Sequence, residues 1–360
     1  MSSNDFTEEE QGRYDRQIRL WGVEAQQRMR NATILVVQLK GTATEAIKNI
    51  VLAGIGKLVI VDGEDVTEED LGAGFFYRDE DVGKKRVEAA KARIESLNPL
   101  VTVETTPTFD VLGEQSFEST IKDVDLVCVT DWARDDLIRM NEVCRRARKP
   151  FYSGGTYGLL GYIFCDLLKH DYISPDRSAP KENQKSVKMT ASYPSLRDAL
   201  RHRWDGLTRR QTKELNPSCV FTILALWQYQ SLHGSLPKEQ TDAVVLQEWA
   251  DSFLSEAQVN TVVLRSVPSD VIESLSTTAA HEFSPVCAIV GGMLGQDILK
   301  TLGAREPPIM NFFTFDGNTG SGTRGNTESA LCVRMCRPKQ GHAKETAFYQ
   351  LTTAALALCA

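Results

Sequence analysis

The sequence predicts a doubly wound α/β domain, and three observations carry that prediction. Short, wholly apolar runs such as 34–37 and 126–129 read as strands buried on both faces. Segments of helical period separate them, as in a parallel sheet built from crossovers. The first strand runs straight into a tight turn and a helix, "ILVVQLKGTATEAIKN", the rhythm of a nucleotide-binding crossover.

Taken in order, residues 1–13 are acidic and polar and are expected to form a disordered lead. Residues 14–30 predict a helix, with Ile18, Trp21, Ala25 and Met29 on one face and Arg16, Arg19, Arg28 and Arg30 largely off it. Then come the strand "TILVVQ", the helix "TEAIKNIVLAGI", the strand "KLVIVD", and a helix closed by Asn98-Pro99. "LVTVETT" and "VDLVCVT" are strands, residues 133–148 a helix, and "PFYSGG" and "YGLLGYIFCDLL" further strands. Residues 171–193 are polar and Pro/Ser/Lys-rich and are expected to form a mobile loop. Residues 195–280 read as a mainly helical insertion, with Val220, Ile223, Leu224 and Trp227 on a buried face. "SPVCAIVGGMLGQDILKTLG" predicts a central helix, capped at Ser284, with Pro285 in its first turn and a stop at Gly303. Gly291, Gly292 and Gly295 would admit a neighbouring backbone. "IMNFFTFDG" closes the sheet, so the domain is drawn over 14–320 with a flexible tail over 321–360.

Composition narrows the function. A net charge of −7 argues against nucleic-acid and anionic-membrane partners. No apolar run is long enough to span a bilayer, and the acidic start does not read as a signal peptide. The eight cysteines are scattered without a C-x-x-C pair, as expected of unpaired thiols in a reducing compartment. Cys332 and Cys336 lack the companions of a zinc site, and no metal is expected.

The turn after the first strand is the informative stretch. A nucleotide turn uses glycines so that phosphate can reach bare backbone. Here only Gly41 remains, with Gln38, Lys40 and Ala43 around it, so the phosphate cradle reads as blocked. Asp62 still ends the second strand, 21 residues beyond Gly41, where an acid would hold a ribose. No nucleotide is therefore expected to bind this chain alone. The five histidines are isolated in sequence. Cys219 opens an apolar helix face and reads as core, and Asp131, Asp135 and Asp136 read as caps of the next helix.

The opening helix "YDRQIRLWGVEAQQRM" resembles that of the non-catalytic half of the ubiquitin-like-protein activating enzymes. The resemblance continues through "GTATEAIKNIVLAGIGKLVIVDGEDVTEEDLGAGFF", "DVGKKRVEAA", "TYGLLGY" and the glycine-bearing helix, from Tyr14 to Gly317. It implies a Rossmann-like sheet of the ThiF/MoeB adenylation type, in a pseudo-symmetric pair of which only one half binds ATP. The active half would carry glycines in place of Gln38, Lys40 and Ala43, and an Asn and an Arg in place of Asp70 and Ala73. Arg16 matches the arginine that reaches across the interface to ATP phosphate in the partner. A modest insertion without a catalytic-cysteine domain is similar to small subunits of the SUMO-activating branch; the neddylation branch carries a larger one. The implied partners are an obligate large catalytic subunit that binds ATP and Mg, and, through the pair, SUMO and a conjugating enzyme. The implied location is the nucleus, also the cytoplasm. The alternatives are a neddylation subunit, a self-sufficient adenylating enzyme or dehydrogenase, and a scaffold with no residue in the chemistry.

Overall fold

Residues 6–175 and 186–325 are described in the computed structural model. The helices are α1 (Glu8–Trp21), α2 (Val23–Asn31), α3 (Gly41–Leu52), α4 (Asp70–Ala73), α5 (Arg86–Leu97), α6 (Glu114–Thr120), α7 (Arg134–Arg146), α8 (Leu196–Leu200), α9 (Arg209–Glu214), α10 (Pro217–His233), α11 (Ala243–Glu256), α12 (Ser269–Thr278) and α13 (Ser284–Gly303). The strands are β1 (Thr33–Val37), β2 (Lys57–Val61), β3 (Thr102–Thr106), β4 (Leu126–Thr130), β5 (Phe151–Tyr157), β6 (Leu160–Asp166), β7 (Lys169–Pro175), β8 (Ser186–Ser192), β9 (Phe312–Asp316) and β10 (Ser321–Gly325).

Eight strands form one sheet in the order β10-β9-β6-β5-β4-β1-β2-β3. The five strands from β3 to β5 are parallel, whereas β6, β9 and β10 each run antiparallel to the strand before. The sheet is thus mixed, not wholly parallel. Only two residues separate β5 from β6, too few for a helical crossover, so that pair closes as a hairpin. Within β1 the side chains alternate between two cores. Leu35 and Val37 join Phe117, Met140 and Trp227 on the insertion side. Ile34 and Val36 join Ile47, Ile94 and Leu294 on the other.

The helix read over 14–30 is two helices, broken at Gly22, whose φ is 89°. The first starts earlier than expected. Thr7 accepts from the Glu10 amide while the Glu10 carboxylate accepts from Thr7, a reciprocal cap that sets the helix start inside the acidic lead. Glu10 is buried on Arg30 at 2.8 Å, so part of the 1–13 segment is ordered structure. The 171–193 segment is likewise no loop at its ends: β7 and β8 pair as an antiparallel ribbon in register from Lys169↔Ser192. The remainder, 176–185, lies outside the described residues. The tail assigned to 321–360 begins with β10, paired to β9; from 326 onward it too lies outside them. The cap of α13 is Phe283 rather than Ser284, and Ala304 in a left-handed conformation follows Gly303.

Helix α13 lies along α3. A Cβ on Gly291 would stand 2.5 Å from the Thr42 carbonyl oxygen, and one on Gly295 3.0 Å from that of Ala46. Gly292, one residue on, would meet nothing within 4 Å. Gly291 and Gly295 therefore allow the close approach, and Gly292 has no part in it. This contact fixes the start of α13 against the turn after β1.

Candidate functional site

The parallel strands place a crevice between the carboxyl ends of β1 and β4, where successive crossovers leave in opposite directions and open α/β sheets bind ligands. The chain fills this crevice with its own side chains. Gln38 adopts φ 68°, the left-handed region that a turn glycine would favour. With its amide nitrogen turned toward β4, its carboxamide donates to the carbonyls of Thr130 and Asp131 at 3.1 and 3.0 Å. The side chain thus bridges the two strands across the crevice.

The helix end is also taken. Lys40 precedes the first turn of α3, and the Gly41 N–H, first of the free amides there, donates to the Glu282 carboxylate at 3.0 and 3.3 Å. A helix N-terminus favours an anion, and here the anion is internal. A Cβ at Gly41 would stand 3.0 Å from Ala73, 3.1 Å from the Cys287 sulfur and 3.2 Å from Glu282. Burial pushes the Glu282 carboxyl above the ordinary range, while Lys40 and the Gly41 amide pull it back.

Asp131 completes the crevice from β4. It holds φ 50° and accepts from the Thr156 amide at 3.0 Å, and its second carboxylate oxygen is buried without a hydrogen bond. Burial first, then the Glu282 charge, raises its carboxyl to about 7, against the opposing charges of Lys40 and Arg86. The expected helix caps are therefore corrected. Asp131 turns into the crevice, Asp135 takes the Ser231 hydroxyl at 2.7 Å, and Asp136 takes the Trp132 indole at 3.2 Å. Ala133 stands at the cap of α7.

The ribose acid is engaged elsewhere. Asp62 is fully buried and accepts the amides of Leu39 at 2.6 Å and Glu64 at 2.7 Å. Burial raises its carboxyl above the usual range despite those bonds. Arg86 lies 3.6 Å from Asp62 and bonds Asp70 through Nε at 3.1 Å and Nη2 at 3.0 Å. The Tyr77 hydroxyl donates to the Leu39 carbonyl. Asp70 and Ala73 are both buried, Asp70 in this ion pair and Ala73 against Gly41.

The amide that would meet phosphate and the acid that would meet ribose both have protein partners. Gln38, Lys40, Gly41 and Asp62 come together as the sequence suggests, and Ala43 is buried just inside α3. Glu282, Tyr77 and Arg86 went unread. Glu282 is 241 residues from Gly41 in sequence, and no local signal links them.

Arg16 stands apart, exposed on α1 opposite the buried Tyr14. Arg13 pairs with Glu9 at 4.0 Å and Arg19 with Asp15 at 3.0 Å, but Arg16 has no ion pair or hydrogen bond among the described residues. One turn on, Leu20 is 78% exposed. Cys219 is buried, with its thiol pushed up to about 12, which suits the core and not a nucleophile. Cys332 and Cys336 lie outside the described residues, within which no group of three or more His, Cys, Asp or Glu side chains could hold a metal ion.

Comparison with known proteins agrees with this reading of the fold. The ThiF family model matches residues 14–333. SUMO-activating enzyme subunit 1 of Rattus norvegicus is 35% identical over 342 residues, covering 88% of this chain and 94% of that protein. Its Homo sapiens counterpart is 34% identical over 338 residues, covering 88% and 95%. Among solved structures, PaaA superimposes with a TM-score of 0.59 at 17% identity, over 91% of this chain and 86% of that one. E. coli MccB gives 0.52 at 14% identity, over 90% and 72%. At such identities the structures speak for the fold alone, whereas the family match covers most of the sequence. The chain belongs to the ThiF family, among relatives named SUMO-activating enzyme subunit 1.

Proposed function

We propose that this chain is the half of a heterodimeric SUMO-activating enzyme that binds no nucleotide. The observation that carries the reading is the Glu282 carboxylate on the Gly41 amide, an internal anion where phosphate would lie. The names of the relatives supply the modifier, and the near-complete coverage of their length favours this branch over one with a larger insertion. The large partner subunit would bind ATP and Mg, adenylate the C-terminal glycine of SUMO, and capture it as a thioester on its own cysteine. A conjugating enzyme would then receive it. Nuclear and cytoplasmic location follows from that role, as does a lack of nucleic-acid or membrane partners.

In this reading Arg16 acts in trans. Its unpaired guanidinium and the exposed Leu20 lie on one face of α1, which suits a partner surface that carries phosphate. Pyrophosphate departure concentrates negative charge, and a fixed guanidinium stabilises it. A permanent pair of this kind would bury more than about 2,000 Å².

SUMO-dependent ATP–pyrophosphate exchange tests the proposal. Exchange is expected with the large subunit present and not with this chain alone. Arg16→Ala in an intact pair should lower the rate about tenfold or more, since about 1.4 kcal/mol is tenfold. An unchanged rate would leave a scaffold only. Exchange by the chain alone would make it an enzyme in its own right. Exchange supported by the neddylation modifier instead of SUMO would move the chain to that branch.

A further inference from the structure

A second concavity lies away from the crevice and shares no residue with it. It is a cavity of about 530 Å³ between the sheet and the helical insertion, within the size range of small-molecule sites. Phe312 and Thr314 of β9 form its floor, and Leu200, Phe221, Leu224 and Phe253 stand in its walls. The floor makes no polar demand, because the Thr314 hydroxyl already pairs with that of Thr323 at 2.9 Å. The mouth is different. Arg201 and Arg203 border it, both exposed and neither with an ion-pair partner among the described residues. Arg134, which pairs with Asp135 at 3.0 Å and donates to Gln228 at 2.7 Å, and the half-buried His202, whose imidazole burial holds below its ordinary range, also border it but add no free charge. Of the residues that line the cavity Glu256 is the one acid, and it accepts from the Ser252 hydroxyl at 3.0 Å. A cationic rim on an apolar cavity is unusual in a chain of net charge −7.

We propose that this cavity binds a small amphipathic ligand with an apolar body and a single anionic head, the chemistry of a medium-chain carboxylate. The body replaces water against the aromatic and aliphatic walls. The head sits between the Arg201 and Arg203 guanidiniums, which suit a carboxylate.

Calorimetric titration of the full chain with decanoate and with decanol tests it. Decanoate should fill one site and bind at least tenfold tighter than decanol. Arg201→Ala with Arg203→Ala should erase that difference and leave decanol binding as it was. Ala199→Phe, which fills the cavity from α8, should abolish both. If circular dichroism finds that variant unfolded, Ala257→Phe, at the end of α11, offers a second way to fill the cavity. Equal affinity for the acid and the alcohol, indifference to the filling variants, or no saturable heat would overturn the proposal.

Discussion

Asp131 keeps a carboxyl in the crevice far from its ordinary chemistry. Its carboxyl, raised from 3.8 to about 7, faces Glu282, Lys40 and Arg86 across the crevice. The folded value lies above the unfolded one, so the native state holds the extra proton between those limits. Stability therefore falls as pH rises through that window. Asp131→Asn keeps an oxygen for the Thr156 amide and removes the charge. It should raise stability on the order of 2 kcal/mol at pH 8 and change little near pH 4, as read by thermal unfolding across pH. Arg86 gives the opposite case. It neutralises the buried acids Asp62 and Asp70, and Arg86→Ala would leave both without it. A loss of about 3–5 kcal/mol is expected in urea unfolding. A loss below about 1 kcal/mol would mean that the backbone amides on Asp62 suffice. At Arg16 the expectation is reversed: the exposed side chain contributes little to folding, and its replacement should change exchange without changing the unfolding midpoint.

At the scale of elements, the contact of α13 with α3 governs the site, because it delivers Glu282 to the first turn of α3. Two adjacent glycines separate packing from propensity. Gly291→Ala would push a methyl group into the Thr42 carbonyl, 2.5 Å away, and should cost about 1–3 kcal/mol, as overpacking does. Gly292→Ala has open space and should stabilise by about 0.5–1 kcal/mol, the helix preference of alanine over glycine. Thermal unfolding of the two variants reads the difference; the same sign for both would mean that the helices are not in this register. The break at Gly22 has a comparable role. It separates α1, which presents Arg16, from α2, whose Ala25 and Met29 are buried.

For the whole molecule, the closed crevice and the exposed α1 face point the same way. The isolated chain should give no saturable heat with ATP up to millimolar concentration, and Glu282→Gln should not restore binding, because Gln38 still bridges β1 and β4. Binding by the wild-type chain would mean that Glu282 and Gln38 move aside for the nucleotide. The apolar helix α13 meets the length and composition of a membrane span, yet it packs inside the fold with Val290, Leu294 and Ile298 fully buried. Its hydrophobicity follows from its central place.

The sequence by itself determined the alternation of buried strands and helices, the missing turn glycines, and the arginine-bearing opening helix. These are local patterns: apolar runs, periodicity, and residues at fixed offsets from a turn. It left the antiparallel half of the sheet unread, because strand direction depends on how each connection closes, and runs such as 160–166 look the same either way. It also left open how the degenerate crevice is sealed. Gln38 and Lys40 told of a blocked cradle, but the bridge from Gln38 to β4, the Glu282 carboxylate on the Gly41 amide, and the raised carboxyl of Asp131 arise between residues distant in sequence. Such contacts follow from how α13 and β4 are packed against β1 and α3. Burial sets the energies of those charges, and only the tertiary structure decides burial.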